Sequence, residues 1–354
     1  MKELDEILNF EQPTKYIVKS EIYNDSYSTP VLTAGKSFIK GYTNEIDGIY
    51  PASKLPVIIF DDFTTASKYV DFPFKVKSSA MKILSSKNDS INIKYVYYAM
   101  QNIKFNSTTH KRYWISQYCH EKINIPSIDI QNEIVNRLEK IEKAIELKQQ
   151  QVIYFTNLEG NIFIDMFGDR YNNDKNWEVK KLKDVASFRN GKAHEKVVDE
   201  NGKYVLITSK AISSDLTDVR KTSENLSPLF KNEITMVMSD LPNGRALAKC
   251  FLVDVDDKYT LNQRICAFSD FKCNPIYFKY LLNRHEYFLT FDDKNSQTNL
   301  RKDDILNCNL IIPPLELQNE FGKKIENIEH IKKNVEKNIE YLNQLLSNEI
   351  DKLL

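Results

Sequence analysis

The 354-residue sequence has no net charge: 49 Lys and Arg balance 49 Asp and Glu. No global field draws it to nucleic acid or an acidic membrane, so any such contact must rest on local patches. Glycine is scarce, at nine residues, and no G-x-G occurs. Glycine-rich cofactor loops are thereby excluded, and no P-loop is present to hold ATP. The five cysteines, Cys119, Cys250, Cys266, Cys273 and Cys308, are odd in number and form no C-x-x-C pair. They read as free buried thiols in a reducing compartment rather than as disulfides or a zinc site. The five histidines show no ligand spacing, so neither a metal nor a cofactor is expected. No apolar run is long enough to cross a membrane, and the polar, acidic opening Met1–Phe10 is no signal peptide. A cytoplasmic protein is expected.

What is present points to folded modules. Nineteen Tyr and nineteen Phe argue for sheet-containing cores rather than disorder. The length suggests two or three domains.

The chain is organised around two near-copies of one stretch: Ile125-Pro126-Ser127-Ile128-Asp129-Ile130-Gln131-Asn132-Glu133-Ile134, and Ile312-Pro313-Pro314-Leu315-Glu316-Leu317-Gln318-Asn319-Glu320-Phe321. They lie 187 residues apart, which means two similar halves rather than a solenoid. Each reads as a helix start, because proline disfavours helix before it and the acidic residues suit the positive end of the helix dipole.

A heptad frame fits both following segments. Ile134, Leu138, Ile141, Ile145, Val152 and Phe155 fall on a and d in the first; Phe321, Ile325, Ile328, Val335, Ile339, Leu342 and Leu346 do so in the second. Lys148 and Lys332 each interrupt the seam, a device that costs stability but can fix register and partner. Each helix should be on the order of 55–60 Å long. Periodicity of this length favours an antiparallel coiled coil within the chain over two ordinary core helices.

Residues 1–124 read as a first module with strands at Tyr16–Lys19, Pro30–Leu32, Phe38–Ile39, Pro56–Phe60 and Phe72–Lys77, and a helix at Lys94–Ile103. Val57–Phe60 is a continuous apolar run, hence a buried strand, closed by the polar turn Asp61–Thr65. Residues 125–166 form the first long helix and 167–176 a polar linker. Residues 177–311 form a second module with strands at Tyr204–Thr208, Ile234–Met238, Cys250–Asp254 and Arg264–Phe268, and a helix at Pro275–Asn283. Residues 312–354 are the second long helix. Tyr95 and Tyr98 align with Tyr277 and Tyr280, and a polar loop precedes each repeat, Ser107–Arg112 and Ser296–Arg301. Two similar heads on a helix pair would bind two similar targets at a fixed distance.

From Lys75 to Lys122 the balance turns basic, with Lys or Arg at 75, 77, 82, 87, 94, 104, 111, 112 and 122 and with Tyr113, Trp114 and Tyr118 interleaved. Such a run suits a phosphate-tracking surface. It equally suits a solvated face over core aromatics, and the residues alone leave both readings open.

The Ile-Pro-Pro-Leu-Glu-Leu-Gln-Asn-Glu stretch, the helix after it and the duplicated layout resemble the specificity subunit of type I restriction-modification systems. Thr29–Lys36, Ile59–Thr64 and Trp177–Leu182 carry the same resemblance, which extends over essentially the whole chain. It implies an α+β architecture: two globular α/β target-recognition domains, two long helices packed as an antiparallel coiled coil, and a pseudo-twofold internal repeat. It implies a non-catalytic, sequence-specific DNA-binding subunit that recognises a bipartite double-stranded site. The implied partners are methyltransferase (modification) subunits, two in number, and restriction subunits recruited through the complex. Residues 1–124 do not align with the second module in detail, so the half-sites should differ. The alternatives are a stand-alone DNA-binding or regulatory protein and a coiled-coil scaffold for proteins.

Two short motifs resemble catalytic ones. Asn274-Pro275-Ile276-Tyr277 is similar to the Asn-Pro-Pro-Tyr of amino-methyltransferases, but lacks the second proline and any cofactor loop, so it reads as a helix start. Glu178-Val179-Lys180 lacks the partner acid of a nuclease site.

DNA contact is expected from loop residues that fork onto guanine or adenine edges or bind phosphate. In the first module these are Lys36, Thr64, Thr65, Lys68, His110, Lys111, Arg112 and Tyr113. In the second they are Arg189, Asn190, Lys192, Lys210, Asn243, Arg245, Gln263, Arg264, Gln297, Asn299 and Arg301. Any one of them could equally hold a structural or solvated role, and sequence does not sort base from phosphate contacts.

Overall fold

The computed structural model describes residues 1–33, 37–105, 111–241, 244–292 and 294–353. The chain divides into two units. Unit 1 is Met1–Gln150 with Glu336–Leu354, and unit 2 is Gln151–Val335. Each contains a globular head and stretches of both long helices, Ile128–Phe167 and Leu315–Asp351. Among the described residues no helix is long and apolar enough to cross a membrane.

In unit 1, a four-stranded antiparallel sheet orders Leu8–Glu11, Met81–Ser86, Val57–Asp61 and Ser67–Val70. A three-stranded sheet orders Ile39–Thr43, Thr29–Leu32 and Lys75–Val76, the last pair parallel. A ribbon of Lys2–Glu3 against Lys122–Ile123 closes the head. Every residue of Val57–Asp61 is buried, which is why this inner strand reads as a continuous rather than an alternating pattern.

Among the described residues, unit 2 repeats this plan and adds one ribbon, Ser239–Asp240 against Thr298–Asn299. Its four-stranded sheet orders Ser187–Asn190, Ile265–Ser269, Ile234–Val237 and Cys250–Leu252. Its three-stranded sheet orders Arg220–Thr222, Tyr204–Ile207 and Tyr259–Leu261, again with the last pair parallel. Val179–Lys181 against Asn309–Ile311 closes this head. The heads that do not align in sequence detail therefore share one topology: burial pattern and turn position are kept while individual side chains change.

Some expected elements differ. Tyr16–Lys19 is not a strand; Pro13 opens a short 3-10 helix over Pro13–Tyr16. Met81–Ser86 was hidden because Lys82 interrupts its apolar pattern. Its ammonium is buried 3.0 Å from the Asp62 carboxylate, with both side chains 1% exposed.

The long helices begin after Pro126 and Pro314, and no expected seam residue is exposed. In each unit the buried glutamine of the repeat joins helix to head. Gln131 accepts from Asn92 N at 2.9 Å and donates to the carbonyls of Pro126 and Ser90. Gln318 accepts from Asn274 N at 2.9 Å and donates to the Pro313 carbonyl. Asn92 and Asn274 cap the helices Ile93–Gln101 and Pro275–Leu282 and also bond Asn132 and Asn319. Tyr95 and Tyr277 each donate to a backbone carbonyl just before the repeat, Asn124 and Ile311, at 2.9 Å in both cases. In unit 2 the two helices run in opposite directions: Glu159 faces Lys332, while Phe163 and Phe167 reach Phe321.

Candidate nucleic-acid interface

In unit 1 the turn after the inner strand is built by two aspartates. Asp61 accepts from Phe63 N at 2.9 Å and from the Thr64 hydroxyl, fixing a turn in which Thr65 has a left-handed φ of 61°. Asp62 turns inward. Its carboxylate accepts from Trp114 N at 2.8 Å and its carbonyl from Tyr113 N at 2.9 Å. The segment that carries exposed Lys111 and Arg112 is thus pinned against the turn that carries Thr64 and Thr65, and exposed Lys68 lies on the next strand. Lys36 and His110 fall outside the described residues.

The basic run is not a continuous patch. Lys75 pairs with Glu45, Lys77 with Glu21, Lys82 with Asp62, Lys94 with Glu139 and Lys122 with Glu3, at 2.7–3.4 Å. Lys87 bonds the Asp5 carbonyl. The interleaved aromatics are core: Tyr113, Trp114 and Tyr118 are at most 2% exposed and pack around Phe60 and Phe105. Burial raises the Tyr118 phenol well above its ordinary pKa. Tyr113 presents no ring to a ligand, because its segment needs that ring to seal the sheet.

Unit 2 gathers its candidates around the turn Asn262–Arg264. Gly191 N donates to Ile265 O, Lys192 N to Leu261 O and Met238 N to Arg264 O, at 3.0–3.1 Å. A side chain at 191 would place its Cβ 2.2 Å from the Asn262 carbonyl, so only glycine allows this approach. Asp240 accepts from the backbone of Leu241, Ala246 and Leu247 at 2.6–3.0 Å and folds back the loop that carries exposed Arg245. Ser239–Asp240 pairs with Thr298–Asn299, and Gln297 donates to Ser239 Oγ at 2.7 Å.

Exposed Asn190, Lys192, Gln263, Arg264, Arg245, Gln297 and Asn299 thus converge on one group of loops, with Arg301 directly following. Asn243 falls outside the described residues. Lys210 is exposed but pairs with Asp218 at 2.6 Å. Arg189 is occupied: it makes two bonds to Glu233 and reaches Ser227 Oγ and the Pro228 carbonyl.

In both heads, then, the turn after the inner strand meets the loop before the repeat. The anchors Asp62 and Asp240 are not legible in the sequence, because their partners are backbone amides distant in sequence or within a turn. Asn274 is a helix cap, and Glu178 and Lys180 pair with each other at 3.2 Å. Asp5, Cys119 and His120 offer donor atoms within 4.8 Å of one another, a grouping that sequence spacing did not reveal, and His120 Nδ1 lies 3.1 Å from Glu3.

The family described as "Type I restriction modification DNA specificity domain" matches residues 1–153 and 174–341. The chain is 46% identical over 233 residues to the type I restriction enzyme EcoR124I/EcoR124II specificity subunit of Escherichia coli. That match covers 61% of this chain and spans 56%, little more than half, of the relative's length. The crystal structure of the type I restriction-modification S subunit from M. genitalium shares the fold at a TM-score of 0.60 and 15% identity, covering 100% of this chain and 95% of that one. A structure titled for complex assembly and conformational transition of the type I R-M system matches at 0.52 and 12% identity, covering 98% and 97%. With two heads of one topology and a family match over both, the chain belongs to the type I restriction-modification DNA specificity family.

Proposed function

We propose that the chain is the DNA-specificity subunit of a type I restriction-modification complex. The observation that carries this reading is the twofold occurrence of one loop arrangement, each copy with exposed Lys, Arg, Asn, Gln or Thr side chains suited to phosphate and base edges. Residues 1–124 and 177–311 act as target-recognition domains, each reading one half of a bipartite duplex site. The proposed contacts are Thr64, Thr65, Lys68, Lys111 and Arg112 in one head, together with Lys36 and with His110, which precedes Lys111 in sequence. In the other they are Asn190, Lys192, Arg245, Gln263, Arg264, Gln297, Asn299 and Arg301, with Asn243 two positions before Arg245 in sequence. Lys210 is a further proposed contact, held by Asp218 in the absence of DNA. Arg189 and Tyr113 support rather than touch DNA.

The long helices dock two modification subunits, and restriction subunits join through them. The chain itself does no chemistry, and buried free thiols support a cytoplasmic setting. The test is to sequence duplexes selected by the full chain from a randomised pool, and to map methylation after adding modification subunits and methyl donor. A two-part motif, methylated only in the assembled complex, is expected. Methyl transfer by the chain alone, or binding without sequence preference, would overturn the reading.

A further inference from the structure

Within unit 2, one buried side chain lies beneath the exposed segment that carries Lys192. Lys192, Ala193, Glu195 and Lys196 are exposed, yet His194 between them is 1% exposed. Its ring is held at both ends: Nδ1 lies 2.7 Å from the Lys192 carbonyl and Nε2 2.8 Å from the Thr260 hydroxyl. A carbonyl only accepts, so Nδ1 carries the hydrogen there. Thr260 Oγ1 also accepts from Ser227 N at 3.2 Å, and Ser227 Oγ accepts from Arg189, which Glu233 holds in turn. The chain of bonds runs from the loop at Lys192, through the three-stranded sheet, to the edge strand Ser187–Asn190.

We propose that His194 is a positioning residue for DNA recognition by unit 2, fixing the Lys192 backbone so that the exposed ammonium meets the duplex at one place. The inference rests on the DNA-binding reading above. The Lys192 peptide is clamped on both sides: its N–H donates to Leu261 O at 3.0 Å, and its carbonyl accepts from His194. Gly191 N donates to the Ile265 carbonyl at 3.1 Å, which ties down the residue before it as well. The Lys192 stem therefore starts from a fixed point even though its side chain is free to solvate. A rigid ring with two opposed nitrogens spans carbonyl and hydroxyl, and aliphatic residues cannot replace it. A fully satisfied buried network of this kind rigidifies what it touches.

The experiment uses the full chain and a pool of randomised duplexes, with bound sequences read out. Wild type should yield a two-part motif. His194→Leu should blur only one part and weaken binding to the wild-type-selected duplex about tenfold. Lys192→Ala should do the same, and combining the two should add no more than about a twofold loss. Should His194→Leu fold poorly, Thr260→Val should reproduce its effect, and Thr260→Ser, which keeps the hydroxyl, should restore wild-type selection.

Additive effects of His194→Leu and Lys192→Ala, an equal loss in both parts of the motif, or identical behaviour of the two Thr260 variants would overturn the positioning role while leaving the DNA reading intact. A wild-type chain with no sequence preference would instead remove the DNA reading, and this role with it.

Discussion

Lys332 and Glu159 face each other across the two long helices of unit 2, Nζ to Oε1 at 3.1 Å, and Tyr280 donates its hydroxyl to the other carboxylate oxygen at 2.7 Å. The charge that interrupts the seam is therefore matched in one register, since sliding either helix by a turn would strand both ions. Lys332→Ala should destabilise unit 2 by about 2–4 kcal/mol, because it leaves a buried carboxylate without its cation. The double replacement Lys332→Met with Glu159→Leu should cost far less. Urea unfolding of Lys332→Met, Glu159→Leu and the double closes the cycle, and a double loss equal to the sum of the two single losses would show that the pair does not couple.

The buried glutamines should behave alike in the two units. Gln131→Ala and Gln318→Ala each leave Asn92 N or Asn274 N, and the carbonyls beside it, without partners. Each should lower stability by about 1–3 kcal/mol. Thermal unfolding checks this; a loss confined to one variant would mean that only one repeat retains the joint.

Acid should weaken unit 2 through His285. The ring is 1% exposed and burial, aided by Arg170, depresses its pKa from 6.5 to about 4. Between those values the unfolded chain binds the proton and the folded chain does not, so stability falls as pH falls. The loss starts near pH 6.5 and is complete near 4, about 3 kcal/mol in all. His285→Asn keeps an acceptor for Tyr287 N, which His285 caps, and removes the titration. Its stability should be flatter over this window; an unchanged slope would assign the effect to other groups.

The thiols should be inert in the native protein. Burial pushes Cys250 and Cys308 up to about 12 and Cys273 up to about 11, and raises Cys266 and Cys119 as well. Thiolate, the reactive form, is then scarce at neutral pH. A colorimetric thiol titration at pH 7.5 should find little reaction until denaturant is added, then all five cysteines. Rapid native labelling would contradict the packing.

Arg264 and Arg189 should separate binding from folding. Arg264 is exposed, so Arg264→Ala should change stability by less than about 0.5 kcal/mol. It should weaken duplex binding, either lowering the salt slope by about one or relaxing one base position. Arg189→Ala should instead destabilise by about 1–3 kcal/mol, since Glu233 and Ser227 lose their partner. Reversed outcomes would exchange the two assignments.

Local features were legible in the sequence. The run Val57–Phe60, the two helix starts after proline and the heptad seam all depend on neighbours within a few turns. The expected strands of the second module lie within two residues of those observed. What could not be read depends on remote partners. The run from Lys75 to Lys122 left patch and solvated face equally open because Glu3, Glu21, Glu45 and Glu139 lie elsewhere in sequence. Arg189 looked free because Glu233 lies on another loop. The seam showed a misplaced Lys332 but not the Glu159 that answers it.

The small ribbons at the base of each head have a consequence for how such a chain can change. Lys2 lies opposite Ile123, and Val179 opposite Ile311, so a head begins and ends at adjacent points. Residues paired in this way are about 5 Å apart at Cα. Topologically, the second head is one long excursion between neighbouring residues, tied to the flanking helices through Asn274, Tyr277 and Tyr280, so an incoming head must bring those residues with it. Exchange at Val179 and Ile311 would carry a complete fold across in a single crossover event at each side. Binding surfaces could then be traded between chains as whole cassettes, while the helical frame descends by a separate lineage.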